Sequence, residues 1–384
     1  GAVVATPSGD INIFAEDFKF PQLFRTSLAV DQLLPGGIVG TLEGIFSKTL
    51  NNINYEQFNV KQPTATLGGQ DNRPRWSPSD PVDGTYRHIL LGKNTSEGYS
   101  YNVTLQLKKD FDFGLSTNVG YTFGRSKVLN EGTSSQNSSQ WRFIENVNGK
   151  NRLDLSYSDF DLGSRIVASV SYRKEYLNHF ATTISLFYNG QSGARYSYIY
   201  RNSLLNDDPQ ATNTDNDLIY VPRNYATYSE ALAAGEIRFL PITGSNPVSE
   251  EQQWADLNEF IEGDEYLRTR RGQYAERNGA RTPFTNVIDL RILQDFYVTI
   301  GSTRHTLQLS FDVFNFTNML NKDWGRQYFN TNDNFRLIEY VVELLPADNI
   351  PNYRFAKPAT KLNIDDSGLI SSRWQAQLGV RYSF

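Results

Sequence analysis

The sequence predicts an all-β fold, a transmembrane antiparallel β-barrel, and three observations predict it. Segment after segment alternates apolar with polar residues, the polar rows carry charge, and the connections alternate between short and long. Side chains of a strand point to opposite faces with a period of two, so strict alternation gives one greasy face and one wet face. The wet rows hold Arg165, Arg173, Asp289, Arg291, Asp312 and Arg381. Such residues suit a watery lumen and not a dry core.

Composition points the same way. Among 384 residues are 22 Tyr, 24 Phe and 28 Gly, a mixture that favours strands and turns over helices. Cysteine is absent, which excludes a disulfide scaffold, a thiolate metal site and a cysteine nucleophile. The net charge of −5 gives no basic footprint for nucleic acid. No apolar run approaches the roughly 20 residues of a membrane helix, but barrel strands of about 9 to 11 residues need none. The opening "GAVVATPSGDINIF" has no basic stretch ahead of an apolar one, so the start reads as a mature or cut end.

In chain order, the first strand is expected over Leu23–Leu34, followed by a second after "PGG" at 35–37. "YSYNVTLQLK" sets Tyr99, Tyr101, Val103, Leu105 and Leu107 on one face, and "FGLSTNVGYTFG" does so with Phe113, Leu115, Val119, Tyr121 and Phe123. "SRIVASVSYRK" follows with Ile166, Ala168, Val170 and Tyr172, and "ATTISLFYNG" with Thr182, Ile184, Leu186 and Tyr188. "NVIDLRILQDF" and "HTLQLSFDVFN" add Ile288, Leu290, Ile292, Leu307, Leu309, Phe311 and Val313. "SSRWQAQLGVRYSF" closes the chain with Trp374, Ala376, Leu378, Val380, Tyr382 and Phe384 on one face. Short connections at 35–37, 108–112, 175–179 and 297–303 alternate with long ones near 59–97, 125–162, 191–284 and 317–371, as in an outer-membrane barrel with tight periplasmic turns and long surface loops. About nine strands result, an odd number where bacterial barrels have even ones. Residues 1–22 are therefore expected in a surface loop and 23–384 in the C-terminal part of a barrel that further strands complete.

Four blocks carry a family resemblance: "LPGGIVGTLEGIFSKTLNN" (34–52), "YAERNGARTPFTNVIDLRILQDF" (274–296), "LQLSFDVFNFTNMLNKDWG" (307–325) and "SSRWQAQLGVRYSF" (371–384). In their order they resemble the C-terminal barrel half of TonB-dependent outer-membrane receptors of the Oar-like type, typical of Bacteroidota. The resemblance implies a 22-stranded barrel with an N-terminal plug, a TonB box and a carboxypeptidase-regulatory-like domain, none of which this chain includes. It implies import of a large solute, whether a peptide, an oligosaccharide or a chelated metal. Its partners would be outer-membrane lipid, the N-terminal barrel and plug portion of the same protein, the periplasmic TonB system and, as in the SusC-like branch, a surface lipoprotein. By the same resemblance, Trp374, Tyr382 and Phe384 match the pattern that the barrel-assembly machinery reads in a last strand. Read without the resemblance, they are lipid-facing girdle residues. An adhesin or scaffold of a surface complex is the alternative function, and a passive porin the second alternative.

The longest loop holds the candidate sites. Tyr196, Tyr198 and Tyr200 in "SGARYSYIYRN" share a face that suits stacking on a ligand, though such a row is more often the strand continuing above the membrane as an aromatic girdle. Asp207, Asp208, Asp215 and Asp217 in "NDDPQATNTDND" offer oxygen ligands of the kind Ca²⁺ takes, without EF-hand spacing; a solvated acidic turn reads the same residues. "SEEQQWADLNEFIEG" predicts a helix with Ser249 as N-cap, Trp254, Leu257, Phe260 and Ile261 on one stripe and Gly263 at its end, and "SEALAAG" predicts a short one over 229–235. His88, His179 and His305 are far apart, and neither H-E-x-x-H nor G-x-S-x-G occurs, so the expectation is no enzyme.

Overall fold

The computed structural model describes residues 9–76, 80–209, 215–342, 346–365 and 372–384. Its backbone is one long antiparallel wall carrying a folded headpiece at one end. The wall strands are β1 (Gln22–Leu34), β2 (Ile38–Gln57), β3 (Gly98–Asp110), β4 (Leu115–Val128), β5 (Gly163–Tyr176), β6 (Phe180–Gln191), β7 (Thr285–Ile300), β8 (Thr303–Phe314) and β9 (Gln375–Ser383). Each pairs antiparallel with the next in sequence order. The short turns joining β1 to β2, β3 to β4, β5 to β6 and β7 to β8 therefore lie at one rim, and all four long loops rise from the other. Gly36 and Gly37, at φ of 80° and 74°, supply the left-handed backbone that the first of these turns needs.

Register builds continuous rows across the wall. Val30, Leu42, Leu105, Tyr121 and Ile166 are successive ladder partners, as are Tyr172, Ile184, Ile292, Phe311 and Leu378. This is the apolar face, and Leu105, Tyr121, Val170, Leu186, Leu309 and Leu378 are exposed on it, with Leu290 half-buried. A row of Tyr176, Phe180, Phe296, Leu307 and Tyr382 edges it at the short-turn rim. Their rings touch, with centroids 5.7 Å apart for Tyr176 and Phe180 and 5.6 Å for Phe180 and Phe296. Aromatic rows of this kind belong to a membrane interface.

The opposite face is held by polar ladders. Thr104 and Thr122 hydroxyls lie 2.9 Å apart, Gln106 donates to Asn118 at 2.9 Å, and the Ser171 and Ser185 hydroxyls lie 2.8 Å apart. Arg173 donates to Asp295 at 2.7 Å, and Arg291 pairs with Asp312 at 2.9 Å. These groups satisfy one another across strands, and the Arg173 and Arg291 side chains remain open to water. Among the described residues, β1 pairs only with β2 and β9 only with β8, so both outer edges of the wall lack a ladder partner.

The headpiece grows from strands that overrun the membrane band and from the loops between them. Asp10–Phe14 pairs in parallel with His88–Thr95, which pairs with Asn52–Gln57 at the top of β2. Ser156–Tyr157 pairs antiparallel with the end of β4. Arg195–Arg201 pairs in parallel with Asn334–Tyr340, the centre of a second, five-stranded sheet. The long helix spans Glu250–Gly263, and the Ser249 hydroxyl accepts from the Gln252 amide at 3.2 Å, as its sequence predicts. The short helix starts earlier than expected, at Tyr228–Ala233, because Thr227 and Glu230 form a capping box there.

Candidate functional site

The headpiece core is drawn from several loops at once. Leu67, the Tyr196–Tyr200 row, Trp254, Leu257, Ile261, Leu337, Ile338, Tyr340 and Phe355 are all buried in one cluster. Backbone bonds stitch the loops together: Gly68 donates to Asn349 at 2.9 Å, Gln70 to Gly235 at 2.8 Å and Trp76 to Leu205 at 3.0 Å. Gly68 and Gly69 are needed at this seam, since a Cβ on either would lie within 2.4 Å of a facing carbonyl oxygen.

The Tyr196, Tyr198 and Tyr200 row corrects the expectation from sequence. These rings are at most 2% exposed, so they form neither a girdle nor a stacking platform. Their hydroxyls are spent inside: Tyr198 donates to Asp264 at 2.5 Å, the Tyr196 and Tyr198 oxygens lie 3.1 Å apart, and Tyr200 donates to Asp71 at 3.3 Å. Burial pushes the Tyr198 and Tyr200 hydroxyls far above the ordinary phenol value.

The acidic run is corrected too. Asp207 pairs with the buried Lys150 ammonium and accepts the Lys150 amide at 2.8 Å; Asp208 accepts from Arg142 at 2.8 Å. Asp215 pairs with Arg336 at 2.7 Å, and Asp217 accepts the amides of Leu204 and Leu205 at 2.6 and 2.9 Å. Burial pushes the Asp217 carboxyl up to about 6 against the pull of Lys150. The four aspartates are thus neither a solvated turn nor open Ca²⁺ ligands, since protein cations and amides engage each of them. Among the described residues no group of three or more His, Cys, Asp and Glu is placed to hold a metal ion.

The cleft best suited to a solute lies on the polar side of the wall. Ser156 pairs with Val128, whose side chain shares the polar face with Asn118 and Thr122 two-residue steps below. Above it opens a cleft of about 620 Å³ lined by Glu145, Asp154, Arg223, Arg270, Tyr274 and Arg277, among others. Arg277 is fixed by its bond to the Val128 carbonyl at 2.8 Å, and Arg270 by the Tyr274 carbonyl at 2.7 Å. Burial pushes the Glu145 carboxyl up to about 7, opposed by Arg277. It also holds the Arg277 guanidinium below the ordinary arginine value, opposed by Glu145 and Glu131. Both signs of charge are therefore presented, half-shielded from water, within one opening. Sequence reasoning missed this site because its residues come from four separate stretches of three loops and share no local motif.

Tyr382 on β9 and Trp374 just before it are exposed, Phe384 follows the strand and is exposed too, and the Tyr382 and Phe384 rings stack at 5.6 Å. The Tyr382 hydroxyl meets His305 Nδ1 at 2.7 Å, tying the last strand to β8.

Residues 1–340 match the family model for an outer membrane beta barrel domain. No curated protein sequence is significantly similar to the chain.

Proposed function

The chain belongs to the outer membrane beta barrel domain family and resides in the outer membrane, and from that premise we propose that it forms wall and surface headpiece of a TonB-dependent importer of the Oar-like type. The observation that carries this reading is the polar-side cleft set above a polar wall face. A passive pore needs an open mouth; here a packed headpiece with its own core crowns the strands. Groups of both charge signs at the cleft favour a zwitterionic, peptide-like solute over an uncharged sugar. The unpaired edges of β1 and β9 belong in contact with further strands, because an open edge in hydrocarbon leaves amides and carbonyls unsatisfied at several kcal/mol each. The exposed aromatic end of β9 fits recognition by the barrel-assembly machinery.

The test is uptake of labelled short peptides and oligosaccharides by cells carrying the full-length protein. The comparison is with cells lacking TonB and with cells whose proton-motive force is collapsed. Peptide uptake lost in both supports the proposal. Uptake that survives both makes the protein a passive pore, and surface binding with no uptake makes it an adhesin or scaffold.

A further inference from the structure

A second cleft, of about 760 Å³, lies on the other side of the wall. Of its wall residues, Phe123, Arg125 and Ser164 carry side chains, and these belong to the apolar, lipid-facing rows, while Gly163 carries none: Phe123 and Arg125 continue the alternation of Val119 and Tyr121, and Ser164 is the ladder partner of Phe123. Tyr157, the neighbour of Ser156, turns to this side, where its ladder partner is Lys127. The cleft sits directly above the upper aromatic belt. Tyr101 and Phe123 rings are 6.3 Å apart there, and Phe284 lines the cleft floor. That height, just beyond the aromatic belt, is where lipid headgroups lie.

Positive charge is in excess and fixed in place. Arg195 and Arg281 both bond to the buried Asp161, Arg195 at 2.6 and 2.9 Å, and Arg125 approaches the same oxygen at 3.7 Å. One carboxylate thus faces three guanidiniums. Arg195 is further held by the carbonyls of Asn278 and Gly279, both at 3.1 Å, and stacks 3.6 Å from the Tyr157 centroid; Arg281 is held by the Gly193 carbonyl at 2.7 Å. Lys127 also lies over the ring of the same tyrosine, 4.7 Å from its centroid. Lys361 is matched by Asp264, which leaves Glu265 as the one further carboxylate among the described lining residues. Burial, and next the neighbouring Arg195, hold the Arg281 guanidinium below its ordinary value. Arg125 lines the cleft with a third of its side chain exposed, its guanidinium 5.2 and 5.4 Å from the Phe123 and Tyr157 ring centroids.

We propose that this cleft binds the phosphate of an outer-leaflet lipid headgroup, with Arg125 as the contacting cation and the Arg195–Arg281–Asp161 cluster as its fixed backing. Basic pockets at headgroup level select anionic lipid in this way, and guanidinium forks suit phosphate oxygens. The inference depends on outer-membrane residence and not on import.

The full-length protein, purified in mild detergent and delipidated, is titrated with bicelles carrying phosphorylated lipid A, with bicelles carrying dephosphorylated lipid A, and with inorganic phosphate. Binding is read by intrinsic fluorescence, and folding by heat-modifiable migration. We expect saturable binding of the phosphorylated lipid, weakened about tenfold by Arg125→Gln and retained by Arg125→Lys. Neither change touches the Asp161 hydrogen bonds, so both variants fold. Equal binding of both lipids overturns the proposal, as does an Arg125→Gln variant that binds like the parent. Inorganic phosphate competing at equal concentration also overturns it, by assigning the cleft to free anions.

Discussion

Replacing Leu186 with Arg tests the membrane assignment most directly. Leu186 lies on the apolar face of β6, between ladder partners Val170 and Leu290. Along β6 it stands about 20 Å from Phe180 in the lower aromatic row, at about 3.4 Å per residue. A similar distance separates it from the end of the strand at Gln191, whose partner Thr285 follows Phe284 in the upper belt. It is thus near the midplane, where an arginine facing lipid costs about 2–4 kcal/mol. Ser169 is the control: it lies on the polar face of β5 between Asn118 and Phe187, and an arginine there reaches water. Ser169→Arg should cost under about 1 kcal/mol. Both are measured as shifts in reversible guanidinium folding of the full-length protein into liposomes. A cost near zero for Leu186→Arg, or equal costs for the two, refutes a lipid-facing row.

Asp161→Ala leaves Arg195 and Arg281 without their carboxylate inside the headpiece, and should destabilise it by about 3–5 kcal/mol. Limited proteolysis reads this as headpiece cleavage with the wall intact. Glu145 gives a pH dependence: with its folded value raised to about 7 from 4.5, the folded state binds the extra proton. Headpiece stability should therefore fall as pH rises from about 4.5 to about 7, by roughly 1–3 kcal/mol, and Glu145→Gln should flatten the profile in denaturant titrations at each pH. EDTA should leave the headpiece unfolding midpoint unchanged, since Asp207, Asp208 and Asp215 already have cationic partners; a lowered midpoint returns the acidic run to metal binding.

The wall was legible in the sequence because each of its strands carries its own alternation and pairs with its chain neighbour through one hairpin or loop. Local pattern and global pairing agree there. In the headpiece they part. The Tyr196, Ser197, Tyr198, Ile199, Tyr200 stretch reads as an amphipathic strand, yet every one of these side chains is buried, because the partner strand Asn334–Tyr340 arrives from the last long loop and covers what local pattern leaves open. The acidic run misled for the same reason: Lys150, Arg142 and Arg336 neutralise it from other loops. The helix at Glu250–Gly263 was readable because its cap and stripe are contained within its own residues.

Interlocked loops also constrain how this surface evolves. In barrels whose loops hang free, each can diversify alone under pressure from antibodies or phage. Here Gly68 is wedged against Asp348 and Gly69 against Gly235, so a change in one loop must be matched in two others. Escape variants should therefore arise by exchange of whole headpieces between strains, while single substitutions gather on the outward-facing helix positions, such as Glu251 and Ala255, that lie outside the shared core.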